Sequence, residues 1–197
     1  MKDENISRIK AAVYAVLLFL VIGTVYTILQ TPASALEMLV RGAALFGFIS
    51  LFVAIISSEY MMEVRKIFGK PFLRIHHLFG AIGLALILTH ATSFAINVGS
   101  LSPFSVVLSP LETFLELAGR PALYLFIIGA LVGIYRRNLK SGWRYIHLVN
   151  YVAFLFALIH GLLIGTDLRF TNPLGITFIL MGLVVVYVFI SKRLKNR

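Results

Sequence analysis

Residues 74–94 read RIHHLFGAIGLALILTHATSF and residues 144–165 read RYIHLVNYVAFLFALIHGLLIG. Together they hold every histidine of the chain: His76, His77 and His90 in the first stretch, His147 and His160 in the second. Each is apolar and long enough to cross a hydrocarbon layer about 30 Å thick as a helix. An imidazole is costly inside a bilayer, so one kept there marks a candidate functional site. His76 and His90 are 14 residues apart, and His147 and His160 are 13 apart. At a rise of about 1.5 Å per residue, both steps are about 20 Å. Two spans therefore carry histidines at matched depths.

Composition sets the frame around these stretches. The chain has 197 residues, 59% of them hydrophobic, with a mean hydropathy of +0.94. That predicts an all-α polytopic membrane protein, with room for about six spans in a single domain over residues 1–197 and none for a separate soluble domain. The chain has no cysteine. Disulfides, thiolate metal sites, iron–sulfur clusters and covalently attached c-type haem are thereby excluded. The net charge of +10 does not point to nucleic acid, because the cations sit at the ends of apolar runs and not in a patch interleaved with aromatics.

In chain order, the first span is expected over Ile9–Leu29, ended by Gln30-Thr31-Pro32. The apolar run is too long for a signal-peptide core and no small-residue cleavage site follows, so it is expected to be retained. The second span covers Leu39–Ser58. The segment EYMMEVRKIFGKPFLR is amphipathic and basic, with a break at Gly69-Lys70-Pro71. The third span covers Phe72–Val98. A long loop with two Ser-Pro steps follows, including a short surface helix over Leu111–Leu117. The fourth span, Pro121–Tyr135, is short. The basic connector RRNLKSGWR leads to the fifth, Tyr145–Gly165, and the loop TDLRFTNP to the sixth, Leu174–Ile190.

Fifteen of the 18 Lys and Arg residues fall in the N-terminus, the 2–3 segment, the 4–5 connector and the C-terminus. With six spans all four lie on one side, which positive-inside bias makes the cytoplasmic side, with both termini there. Arg41, Arg120 and Arg169 are left at the other three connections. The third and fifth spans then run parallel, so His76 pairs with His147 near the inner face and His90 with His160 in the outer third.

A neutral imidazole nitrogen is a good axial ligand for haem iron. Two imidazoles from facing helices fill both axial positions, which favours electron transfer over oxygen binding. His76, His147, His90 and His160 are therefore the candidate iron ligands of two stacked haem b groups, and no residue is assigned a catalytic role. Arg74 and Arg144, close before the inner histidines, are candidates to meet haem propionates; positive-inside anchoring is the simpler reading of both. Phe79, Gly80, Gly83, Phe154, Phe156 and Gly161 are small or flat residues suited to a macrocycle pocket. Trp143 and Tyr145 fit an interfacial aromatic belt better than an electron relay. Arg120 is a candidate neighbour of the outer pair, and His77 an alternative inner ligand. One detail resists a straight helix. At 100° per residue a step of 14 returns a side chain to within about 40°, whereas a step of 13 leaves it about 140° away. The fifth span is expected to be wound differently, as at a π-bulge, or to hold its two groups rotated relative to each other.

The two histidine-bearing stretches, RIHHLFGAIGLALILTH and WRYIHLVNYVAFLFALIH, resemble the third and fifth helices of the ferric reductase-like transmembrane superfamily. That superfamily includes ferric reductases, NADPH oxidase membrane cores and the membrane haem subunit of bacterial methionine sulfoxide reductase, whose compact size is similar. The resemblance covers about residues 40–190. It implies two b-type haems passing electrons from a cytoplasmic flavin to an acceptor outside. The chain departs from the larger members after the sixth span, where SKRLKNR is followed by no flavin or nicotinamide domain and no G-x-G-x-x-G lies between a strand and a helix. The donor is therefore expected to be a separate cytoplasmic flavoprotein, FMN or FAD shared with a partner, or a quinone. The expected setting is the cytoplasmic membrane of a prokaryote, with membrane lipid and an extracytoplasmic redox partner as further contacts.

Three other readings stand beside this one. A cytochrome b of the b561 or dehydrogenase-anchor type would exchange electrons with quinone. A transporter or structural membrane protein would use the histidines as interhelical hydrogen-bonding groups. A non-haem ion site is poorly served by two pairs about 20 Å apart and spans without carboxylates.

Overall fold

A computed structural model describes residues 3–69, 71–139 and 142–194. The expected break at Lys70, parts of both termini, and Lys140 and Ser141 of the basic connector lie outside the described residues. Among those described the chain is helical, with no strand. The elements are α1 (Asp3–Leu29), α2 (Ala35–Glu59), α3 (Met61–Phe68), α4 (Phe72–Val98), a 3₁₀ turn at Ser102–Phe104, α5 (Leu111–Glu116), α6 (Gly119–Ile134), α7 (Trp143–His147), α8 (Val149–Ile164) and α9 (Pro173–Leu194). Five are long and apolar enough to cross a membrane: α1, α2, α4, the α7–α8 run Trp143–Ile164, and α9. The expected fourth span is α6, apolar but only 16 residues long, about 24 Å at the α-helical rise.

Local chemistry accounts for the boundaries. Ser34 and Glu37 form a reciprocal capping box in front of α2, each side chain bonding the other's backbone N–H, so α2 begins one turn before the expected Leu39. Gly69 and Gly99 adopt positive φ (66° and 63°) at the ends of α3 and α4, a conformation cheap only for glycine. The amphipathic segment after α2 forms α3. Tyr14 of α1 meets its Phe68 edge-on at 6.0 Å between ring centroids.

Helices α2 and α4 form one closely packed antiparallel pair, and α6 and α8 another. Small residues permit the first approach. A Cβ at Gly83 would fall 2.7 Å from Leu51, and one at Gly47 would fall 3.0 Å from Ile87. The bundle centre holds a stack of Phe48 with Phe154 and Phe178, at centroid distances of 4.2 and 4.8 Å. Phe154 and Phe178 are fully buried. Counted along α2 and α8, this aromatic layer lies midway between the levels of the two histidine pairs.

Candidate functional site: two facing histidine pairs

His76 and His90 sit on α4, and His147 and His160 on α7–α8. The His76 and His147 rings lie 6.1 Å apart between centroids, with planes at 64°. The His90 and His160 rings lie 6.5 Å apart, with planes at 71°. The structure thus brings His76 opposite His147 and His90 opposite His160, the pairing expected from matched depths. Helices α4 and α8 are not among the closely packed pairs of the bundle, so the rings meet across a gap between two tight helix hairpins.

All four rings are held in the same way. Nδ1 of His76 lies 2.9 Å from Ala54 O and Nδ1 of His90 2.9 Å from Val40 O, both carbonyls on α2. Nδ1 of His147 lies 2.9 Å from Gly129 O on α6, and Nδ1 of His160 lies 2.6 Å from Glu116 O at the end of α5. A carbonyl only accepts, so each Nδ1 carries the proton and donates, leaving Nε2 with its lone pair. Among the described residues no hydrogen bond engages Nε2 of these rings. The spacing explains why the pattern repeats. Val40 and Ala54 are 14 residues apart, as His76 and His90 are, and Glu116 and Gly129 are 13 apart, as His147 and His160 are. Antiparallel helices in fixed register present one carbonyl to each ring.

The 13-residue step is accommodated at Leu148. Its N–H is shared between Arg144 O (3.3 Å) and Tyr145 O (3.2 Å), and the Tyr151 N–H bonds Leu148 O (3.0 Å), three residues back. His147 O is taken instead by the Asn150 side-chain amide at 3.0 Å. That amide also lies 3.4 Å from His147 Nδ1, but this nitrogen already donates to Gly129 O, so the carbonyl is its partner. The change of winding is therefore present as a tightening and not as a π-bulge. Winding at about three residues per turn adds about 20° per residue. Over about four residues it cuts the 140° mismatch to about 60°, close to the 40° of α4. Gly129 makes room for this, since a Cβ there would run into the Asn150 amide.

The rings also fit the geometry of a shared iron. A metal–imidazole bond is about 2.0–2.1 Å, and a ring nitrogen lies about 1.1 Å from its ring centre, so two imidazoles on opposite sides of one metal have centres about 6.2–6.4 Å apart. The observed 6.1 and 6.5 Å bracket that range. A Cβ at Gly80, one turn beyond His76 on the same face, would meet nothing within 4 Å, and one at Gly133 would lie 3.5 Å from His147. Open space therefore lies beside Gly80, while Gly133 packs against the His147 ring at ordinary contact distance. Among the described residues no three His, Asp or Glu side chains cluster as an ion site.

The other candidates are placed less directly. His77 is exposed, its ring 5.8 Å from that of His76, and it faces no partner histidine. Arg144 lies over the Trp143 ring at 5.8 Å, and that ring is 5.9 Å from His147. Arg74 is exposed and stands two residues before His76, about 200° around α4. Arg120 donates to Ser105 O at 2.8 Å and Tyr124 to Phe104 O at 2.6 Å. These bonds fasten the α4–α5 loop over α6 beside the outer pair. Sequence reading missed Asn150, the four carbonyls and two polar contacts that join distant segments. Arg41 makes a two-pronged ion pair with buried Asp167, with Nε to Oδ2 at 2.8 Å. Glu59 accepts from the Tyr151 hydroxyl and, at 3.4 Å, from Arg193. No family model, curated protein or solved structure matches the chain.

Proposed function

We propose that the chain is a six-span membrane electron carrier of the ferric reductase-like kind, holding one b-type haem between His76 and His147 and a second between His90 and His160. The observation that supports this reading is the pair of facing rings at each of two depths, every Nδ1 bound to a backbone carbonyl. His76, His147, His90 and His160 would hold the iron, and haem bound there would supply one-electron exchange. The chain's residues do the positioning. Each Nδ1–H···O=C bond fixes ring orientation and tautomer and raises the basicity of Nε2, as supporting partners of metal-ligating histidines do. Arg144, three residues before His147 and close to it around the helix, is the arginine we assign to a haem carboxylate. Arg74 reaches one only around the helix, and its exposed position suits the inner membrane surface equally.

In this reading α6, lengthened by its flanking turns, is the fourth span, and the basic segments and both termini face the cytoplasm of a prokaryotic cell. Electrons enter at the His76–His147 level from a separate flavoprotein, flavin or quinol and leave at the His90–His160 level to an extracytoplasmic acceptor. The test is vectorial transfer. Protein reconstituted in liposomes with a reductant trapped at the basic-loop face should reduce a membrane-impermeant acceptor at the opposite face, and His160→Ala should abolish that transfer. Equal transfer by protein-free liposomes or by the variant contradicts the proposal.

A further inference from the structure

Among the described residues, a polar clamp joins the two helix hairpins that carry the ring pairs at each level. At the outer level Arg41 follows Val40, the residue whose carbonyl holds His90. Its guanidinium grips Asp167, seven residues beyond His160, and also donates to Thr31 O at 3.3 Å. Asp167 is 6% exposed. Its loop is itself held. Asn172 donates to Asp167 O at 2.7 Å and accepts from the Gly175 N–H at 2.6 Å, and Leu168 packs 3.0 Å from the Cβ position of Gly161, next to His160. At the inner level Glu59, five residues beyond Ala54 on α2, accepts from Tyr151, four residues beyond His147, and from Arg193 of α9.

Each clamp therefore runs from the α2 segment that orients an α4 histidine to the segment bearing its partner. A polar bond between charged or partly charged groups in a low-dielectric interior is strong and directional. A gap of about 6 Å between two rings tolerates little drift, because ligand distances must hold to about 0.2 Å. We propose that Arg41–Asp167 and Glu59–Tyr151 are positioning residues, each setting the ring-to-ring separation of its own level independently of the other. The functional consequence rests on the di-haem reading above; the spacing itself does not.

The chain has no native cysteine, which allows spin labels at chosen pairs. Labels on Cys at exposed Thr92 and Leu163 report the outer gap, and labels at exposed Leu78 and Val152 the inner one. Asp167→Asn is expected to lengthen and broaden the outer distance distribution while leaving the inner one unchanged, and Tyr151→Phe the reverse. The matching haem signal should weaken or shift in potential in each variant, with the other signal retained. Tyr151→Phe removes a single oxygen and keeps the ring packed on Phe189, so it serves should Asp167→Asn fail to fold. Distances unchanged in either folded variant, or changed equally at both levels, overturn the clamps. Level-selective distance changes in the variants, with a wild type that binds no haem, leave the clamps standing and sink the di-haem reading.

Discussion

Gly119 stands against the ring of His160, and replacing it with alanine gives a sharp separation of fold from site. A Cβ there would lie 2.6 Å from His160 Cδ2 and 2.9 Å from both Cγ and Nε2. Relieving the closest approach to an ordinary contact of about 3.4 Å requires the ring to move by about 0.8 Å. That is about four times the 0.2 Å tolerance of a metal–ligand distance. The same movement stretches the 2.6 Å bond from His160 Nδ1 to Glu116 O, which costs about 1 kcal/mol. Against this, alanine in place of glycine at the first position of α6 stabilises by up to the roughly 1 kcal/mol that a helix interior would gain. The two nearly cancel, so Gly119→Ala should fold with little change in thermal midpoint while the outer site is lost. Haem quantification per chain, beside a thermal melt in the same detergent, should give about one haem against the two proposed for the wild type. Gly133→Ala is the control, because its Cβ would sit 3.5 Å from His147, an ordinary contact. Two haems with an unchanged outer signal in Gly119→Ala would refute the placement of His160.

Other perturbations should sort by level. His90→Ala and His160→Ala should remove the same haem and His76→Ala and His147→Ala the other, while His77→Ala leaves both; optical redox titration of each variant resolves this. Asn150→Leu leaves His147 O without its amide partner and should lower stability by about 1–3 kcal/mol, with the inner haem disturbed and the outer spared, read from chemical denaturation and the same titration. Gly83→Ala forces α4 away from Leu51 between the two rings it carries. Overpacking of this kind costs about 1–3 kcal/mol, and both haem signals should weaken together.

The depth pairing was legible because it needs only hydropathy, loop charge and residue counting. Period and composition place α2, α4, α9 and the α7–α8 run within a few residues; α1 ends where expected but begins six residues earlier, at Asp3 and not Ile9, and the basic amphipathic segment after α2 is where α3 forms. Helix α6 is the weak point of the span count, since its 16 residues fall short of a full crossing by themselves. The carbonyl partners were not legible, because they depend on the register of α2 against α4 and of α5–α6 against α8. Gly47 and Gly83 hinted at close approach without fixing that register. Arg41 and Asp167 are 126 residues apart in the chain, and nothing local to either announces the other. The irregular step of 13 was visible as a conflict with helical geometry. Its resolution required seeing Asn150 take the His147 carbonyl and Gly129 make way for it.

The central claim is that each facing pair of rings holds one iron. Optical spectroscopy with haem quantification on the purified wild-type chain tests it most directly. The account predicts low-spin b-type spectra at about two haems per chain, both lost only when a histidine from each level is removed. A stable, folded and colourless protein, produced with haem in supply, would contradict it.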